Sequence, residues 1–278
     1  MKLIIESWKR YLSESTEASY FPWFAEFKAL SDKYLDQIPD KRYMGSSSLH
    51  FAENFWQALE DLLPDTDDDS QFQRLGEGSY RAVYSPPGDN SVVIKTITSN
   101  DPTSAQMNKE DIDMSRKYPN IFAKTYAHEK NYIWVILEKL TVVTKGPLLD
   151  EMLKVNFPDL IKIVEKAKKI RHDDGKRRFT VFDSPSAYLR IIMSSLRLGR
   201  MHGWDPNEQI KKDMEAPHNM ETLMRFLFLY GVNNNPIYYE IYKAVSADKV
   251  DPSELRTGNI AMNDRSEFRI IDSSIFAD

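Results

Sequence analysis

The chain has no cysteine among its 278 residues. That excludes disulfides, zinc–thiolate sites and thiol catalysis, and it fits a reducing compartment. No apolar run approaches the roughly 20 residues that a membrane-spanning helix needs. The start, Met1-Lys2-Leu3-Ile4-Ile5-Glu6-Ser7-Trp8, is too soon charged for a secretory signal. Internal repeats and low-complexity segments are also missing. A net charge of −5 exerts no overall pull on nucleic acid or anionic membranes. These absences lead us to expect a cytoplasmic protein with neither nucleic acid nor membrane as a partner.

What is present is ordinary in bulk: 41% hydrophobic and 28% charged residues. The length suffices for one large domain or two small ones with a sizeable core. Ile4, Trp8 and Leu12 form the i, i+4, i+8 stripe of a short amphipathic helix over 2–14. Further helices are predicted at 22–37 and 49–63. Together they read as a helical N-terminal extension over 1–70, packed on the main domain. The acidic run Asp65-Thr66-Asp67-Asp68-Asp69-Ser70 marks its boundary.

From 71 the hydrophobic period changes. Strands are predicted at 71–76, 80–85 and 91–98, with the strong turn Pro86-Pro87-Gly88-Asp89-Asn90 between the second and third. A helix follows over 102–117, opened by Asp101-Pro102 and closed by Tyr118-Pro119-Asn120. Strands at 122–128 and 131–138 flank a turn at Glu129-Lys130-Asn131. The result is a five-stranded sheet with one helix inserted after its third strand. Beyond 140 the pattern is mostly helical, at 147–155, 158–171, 185–202, 219–231 and 236–247. Two short strands, 259–262 and 267–271, surround the turn Asn263-Asp264-Arg265. Residues 162–178 hold eight basic and three acidic groups. That run reads first as a solvated face and second as a docking site for an acidic partner.

Four motifs bear on chemistry. Gly76-x-Gly78, followed by Ser79, lies between two strands and lets backbone N–H groups approach phosphate oxygens. Alone it reads first as an ordinary glycine hairpin. Lys95 ends the apolar Val92-Val93-Ile94-Lys95, 12 residues after Val83. A lysine inside such a strand needs a partner, and Glu110 on the following helix is the expected one. Otherwise Lys95 would sit on an edge strand and reach water. The hydrophobic strand 132–140 brings Glu138 and Leu140 to its end. Last, Glu254-Leu255-Arg256-Thr257-Gly258-Asn259 precedes Ile270-Ile271-Asp272. Asn259 and Asp272 are hard oxygen ligands suited to Mg²⁺. Arg256 would neutralise phosphoryl charge, and Glu254 would accept a hydroxyl proton. An exposed turn and a polar hairpin would carry the same letters, but a carboxylate directly after two isoleucines argues against it.

In this order the motifs resemble the protein-kinase-like superfamily, which includes small-molecule kinases of the aminoglycoside-phosphotransferase type. The resemblance covers 71–140 and 250–275. It implies an α+β, two-lobed fold: a five-stranded antiparallel N-lobe over 71–140 and a mostly helical C-lobe over 141–278. It implies ATP and Mg²⁺ as cofactors, with Gly76, Gly78, Ser79 and Val83 in the glycine-rich loop region. Lys95 and Glu110 become the phosphate-anchoring pair, Glu138 and Leu140 the adenine-contacting hinge, and Asn259 and Asp272 the metal ligands. The implied activity is phosphoryl transfer to a hydroxyl acceptor, protein or small molecule. Residues 141–249 are then expected to supply the bulk of the second lobe and the acceptor site.

The chain also departs from that pattern. Arg81 stands where the third loop glycine is expected, which alters the loop's tip and charge. Glu254 replaces the usual aspartate, and Asp272-Ser273-Ser274 replaces Asp-Phe-Gly. Six residues follow Asp272, so an activation segment is not expected there. These departures keep two alternatives open: a catalytically inactive pseudokinase acting as a binding module, and a nucleotidyl (AMP) transferase. Separately, residues 1–14 resemble leaders of tailed-phage proteins, and Leu12-Ser13-Glu14 resembles the Leu-x-Glu signal of prohead proteases. A plain N-terminal helix is the alternative.

Overall fold

The computed structural model of the chain describes residues 21–35, 72–77, 80–98, 102–143, 145–167, 184–210, 219–247, 250, 255 and 257–271. The expected helices at 2–14 and 49–63, the acidic boundary at 65–70 and most of the basic run after Ala167 lie outside them. The described residues form a mixed α+β structure in two compact units. One holds the residues up to Arg116 together with Ala123–Lys139; the other holds Lys117–Phe122 and the residues from Leu140 onward.

The first unit is a sheet between two helices. Its elements are α1 (Phe24–Leu35), β1 (Gln73–Glu77), β2 (Arg81–Ser85), β3 (Val92–Ile97), α2 (Pro102–Lys117), β4 (Thr125–His128) and β5 (Trp134–Glu138). The strands are antiparallel in the order β1-β2-β3-β5-β4. This is the expected five-stranded sheet with one helix inserted after the third strand. The alternation of side chains along each strand gives the sheet two apolar faces. Tyr84, Ile94 and Ile136 stand opposite one another and face α1. Val135 and Leu137, with Val93, pack instead on Ile112 of α2.

Helix α1 is an integral part of this unit. Trp23, Phe24 and Phe27 join Phe72 and Trp134 in edge-to-face and tilted ring contacts. Such large rings supply much of a core's apolar burial. Two polar ties fix the register of the helix. Trp134 Nε1 donates to Ser31 Oγ at 2.7 Å, and Trp23 Nε1 donates to Asp89 Oδ2 at 3.2 Å. Asp89 lies in the predicted Pro86–Asn90 turn, where Gly88 takes a φ of 65° that disfavours side chains. So residues 21–35 of the expected extension pack on the sheet.

The second unit contains β6 (Thr141–Val142), α3 (Pro147–Asn156), α4 (Pro158–Lys166), α5 (Pro185–His202), α6 (Met220–Asn234), α7 (Pro236–Ala247), β7 (Ile260–Met262) and β8 (Phe268–Ile270). Among its described residues, four of the five helices begin at a proline, whose fixed φ suits the first helical position. Ser184 and Asn219 cap α5 and α6 by accepting backbone N–H bonds. Helices α5 and α6 approach closely where Gly199 faces Phe228. A Cβ on Gly199 would lie 2.3 Å from the ring, so only glycine permits that approach.

The β7–β8 hairpin follows the predicted turn, with Asn263 Oδ1 accepting from the N–H groups of Arg265 and Glu267. Asn156, at the α3–α4 junction, anchors this hairpin. Its Nδ2 donates to the carbonyl of Ser266 and its Oδ1 accepts from the N–H of Phe268. The helices after 147 and the strand pair that follows Asn259 therefore form one packed body.

One boundary and one element differ from expectation. The strand expected over 122–128 begins only at Thr125, because Phe122 bridges Ile270 and the Ile270 N–H donates to Ile121 at 2.7 Å. Residues 117–122 therefore belong to the second unit. Helix α4 is described over Pro158–Lys166, and residues 168–171 of the predicted helix lie outside the described residues. Strand β6 is not among the predicted elements; two exposed residues carry too little pattern to announce a strand.

Candidate functional site

The strand register assembles the candidate site. Gly76 pairs with Val83, Val83 with Lys95, and Lys95 with Val135. Residues directly opposite in antiparallel strands share a face. Three residues singled out from the sequence thus form one row across β1, β2 and β3. Gly76 follows a bulge in β1, and no heavy atom lies within 4 Å of where its Cβ would stand. The backbone there is open to a ligand.

Lys95 is 8% exposed, so its ammonium needs a counter-charge. Asp111 on α2 supplies one: Nζ lies 2.9 Å from Asp111 Oδ2. The expected partner was Glu110, one position earlier. Glu110 instead accepts from Gln106 Nε2 at 3.0 Å, one helical turn back. The helix period explains the difference. At about 100° per residue, Glu110 points roughly 160° away from the buried Asn108, whereas Asp111 lies within about 60° of it.

Arg81 also departs from expectation. It is the first residue of β2 and only 7% exposed, so its side chain is buried and not at an exposed loop tip. Its Nη1 donates to the same Asp111 oxygen at 2.6 Å and to Asn108 Oδ1 at 3.4 Å. Asn108 continues the chain of bonds, donating through Nδ2 to the Tyr132 carbonyl at 2.8 Å. Tyr132 holds a φ of 62° just after the predicted turn, in which Glu129 accepts the Asn131 N–H at 2.6 Å. Ser115, further along α2, accepts the Thr125 N–H at 3.0 Å. Ser104, Asn108, Asp111 and Ser115 are all buried. Their spacing of four, three and four places them on one stripe of α2.

Burial is the largest single influence on Asp111 and opposes its ionisation. Arg81 and Lys95 outweigh it together and hold the carboxyl below its ordinary range. Arg81 and Lys95 are thus gathered on one carboxylate, in the row that Gly76 opens.

The remaining predicted residues divide as follows. Gly78, Ser79, Glu254, Arg256 and Asp272 lie outside the described residues. The N–H of Glu138 donates to the Lys124 carbonyl at 2.8 Å, and its Oε2 accepts the Lys124 N–H at 3.3 Å. That N–H is engaged by the chain itself. Leu140 is half-buried and opens the second unit, just before β6. Asn259 ends a short 3₁₀ turn, Thr257–Asn259, and its carbonyl accepts the Ile271 N–H at 3.0 Å. Strand pairing in the hairpin thus extends one step past Ile260 and Ile270.

A triphosphate needs cations and close backbone approach, and Lys95 with Gly76 fits both needs. Sequence reasoning missed Asp111 as the partner of Lys95 and the inward position of Arg81. The buried polar stripe on α2, readable from its helical spacing, was the available signal for Asp111. No protein-family model matches the chain, and no curated protein matches it.

Proposed function

We propose that the chain is a divergent, two-lobed, kinase-like protein that binds ATP with Mg²⁺ and transfers a phosphoryl group to a hydroxyl acceptor. The observation that carries this reading is the buried Lys95–Asp111 pair at the end of the Gly76–Val83–Lys95 row. A lysine fixed on a strand by a helix carboxylate, beside a glycine hairpin, suits the α/β-phosphates of a nucleotide. Backbone groups of Gly76, Gly78 and Ser79 would cradle the phosphates, with Val83 alongside. Glu138 and Leu140 mark the strand end that would meet the adenine. Asn259 and Asp272 would hold the metal, Glu254 would take the acceptor's proton and Arg256 would offset the transferred charge. The acceptor, protein or metabolite, would be met by the helices of 141–249. Phosphoryl transfer depends mainly on positioning and electrostatics, so glutamate for aspartate at 254 is compatible with turnover.

Glu254 and Arg81 together favour a second reading, a pseudokinase that binds nucleotide or a partner without turnover. Calorimetric titration of ATP, with and without Mg²⁺, on wild type, Lys95→Met and Asp272→Asn tests the binding. The proposal expects Mg²⁺-dependent binding that both substitutions weaken; a folded wild type that binds no ATP would sink it. Intact mass of acceptors then separates the activities. A phosphate adds about 80 Da, an adenylate about 329 Da, and a pseudokinase adds nothing.

A further inference from the structure

Arg81 has no assigned task in the nucleotide reading, yet it makes the shortest bond of the buried cluster. Its guanidinium reaches Asp111 at 2.6 Å and Asn108 at 3.4 Å, and Asn108 reaches the Tyr132 carbonyl at 2.8 Å. These bonds connect β2, through α2, to the turn before β5. Ser115 adds a fourth attachment, to β4, through the Thr125 N–H. We infer that Arg81 is a positioning residue that bolts α2 to the sheet and holds Asp111 in place for Lys95, whether or not nucleotide is bound.

The geometry supports this in two ways. First, Arg81 and Lys95 share one carboxylate oxygen, Asp111 Oδ2. A lysine alone would have to choose between keeping the helix docked and turning toward a phosphate. With Arg81 on the same oxygen, Lys95 is released to the phosphate while Asp111 stays held. Second, arginine suits the task by its shape. Its fork offers several donors in one plane, so a single side chain serves both Asp111 and Asn108. A glycine at 81 would leave a buried carboxylate with one fewer cation, at a position where burial already opposes its charge. The arginine that departs from the glycine pattern thus supplies a permanent form of helix docking.

This inference rests on the nucleotide reading for the role of Lys95, but the bolt itself has a readout independent of nucleotide. The experiment compares the full chain with Arg81→Met and Arg81→Lys. Hydrogen exchange of residues 103–117 is followed against α5 as an internal reference. ATP·Mg²⁺ titrations are run at neutral and mildly acidic pH. Among the described residues, Arg81 from β2 and Lys95 from β3 are charged groups that face Asp111. Arg81→Met is expected to speed exchange in α2 roughly tenfold, the loss of one charge-assisted hydrogen bond, with α5 unchanged. ATP affinity is expected to fall by a similar factor and to weaken further at acidic pH relative to wild type. Arg81→Lys, which restores a cation at Asp111, is expected to recover most of the affinity and the flat pH response. A purely structural contribution would not produce that charge-specific pH response.

Wild-type exchange in α2 of Arg81→Met, or an Arg81→Lys protein no better than Arg81→Met, would overturn the inference. Should Arg81→Met fail to fold, Arg81→Gln keeps a hydrogen bond without the charge and carries the same expectations. A wild type that binds no ATP would overturn the nucleotide reading alone, and the exchange data would still decide the bolt.

Discussion

Lys95 Nζ on β3 lies 2.9 Å from Asp111 Oδ2 on α2, with both side chains buried. Neither group would be stable there alone, because an isolated charge in a protein interior is strongly penalised. The pair therefore couples the third strand to the helix that follows it, and Arg81 extends that coupling to β2.

Asp111→Asn removes the shared anion and leaves two cations buried against a neutral amide. The expected loss is on the order of 3 kcal/mol at neutral pH, measured by urea unfolding. The pH response has a definite sign. The folded carboxyl lies below its ordinary value, so its contribution is fully present above the unfolded value near ~3.9. It is lost as pH falls through the folded value. Asp111→Asn should flatten the acid limb of the stability profile below about pH 4. An unchanged acid limb would mean that Asp111 does not contribute this linkage.

Gly199 on α5 is a second sensitive position. Its missing Cβ leaves room for Phe228, and an added methyl would meet the ring at 2.3 Å. Gly199→Ala should cost about 1–3 kcal/mol by overpacking. The double variant Gly199→Ala/Phe228→Leu should recover part of that loss, giving a coupling energy between the two sites. Simple additivity would contradict the packing argument.

Asn156 ties the α3–α4 junction to the hairpin after Asn259. Asn156→Ala removes the donor to Ser266 and the acceptor from Phe268, both in a buried setting. The expected cost is about 2–3 kcal/mol, because buried backbone groups lose their partners. Amide exchange at Phe268 reads it directly: acceleration there, with α6 unchanged, is the expected pattern.

Tyr238 is fully buried, its oxygen 2.6 Å from Ser195 Oγ, which itself donates to the Ile192 carbonyl. Burial raises its hydroxyl well above the ordinary tyrosine range. The contribution to stability is therefore complete below the unfolded value near ~10, and is lost as pH rises beyond it. Ultraviolet titration should find this one of the 14 tyrosines protonated until the protein unfolds. Tyr238→Phe should cost about 1 kcal/mol at neutral pH and lessen the alkaline loss of stability. Equal alkaline sensitivity in the two proteins would refute the assignment.

Much of the secondary structure was legible in the chain because it depends on local chemistry. Helices α5 and α7 cover 185–202 and 236–247, the predicted spans, and each begins at a proline. The Pro86–Asn90 and Asn263–Arg265 turns formed for reasons internal to a few residues. The row of Gly76, Val83 and Lys95 was half legible. The residues were named from their spacing, but their shared face follows from the strand register.

What lay beyond the local sequence was the choice among chemically similar neighbours. Glu110 and Asp111 differ by one methylene and one position, so spacing along the chain does not separate them. Only the docking of α2 on the sheet decides which of them turns inward.

The sequence by itself determined the absence of cysteine chemistry, the mixed α+β order of elements and the residue types present at the candidate site. These follow from composition and from periods of two and 3.6 residues, which act over a few neighbours. The tertiary structure alone decided that Asp111 pairs with Lys95, that Arg81 faces inward and that α1 completes the sheet's core. It also decided that residues 117–122 join the second unit. Each of those outcomes depends on burial, and burial is set by segments far apart in the chain meeting in space.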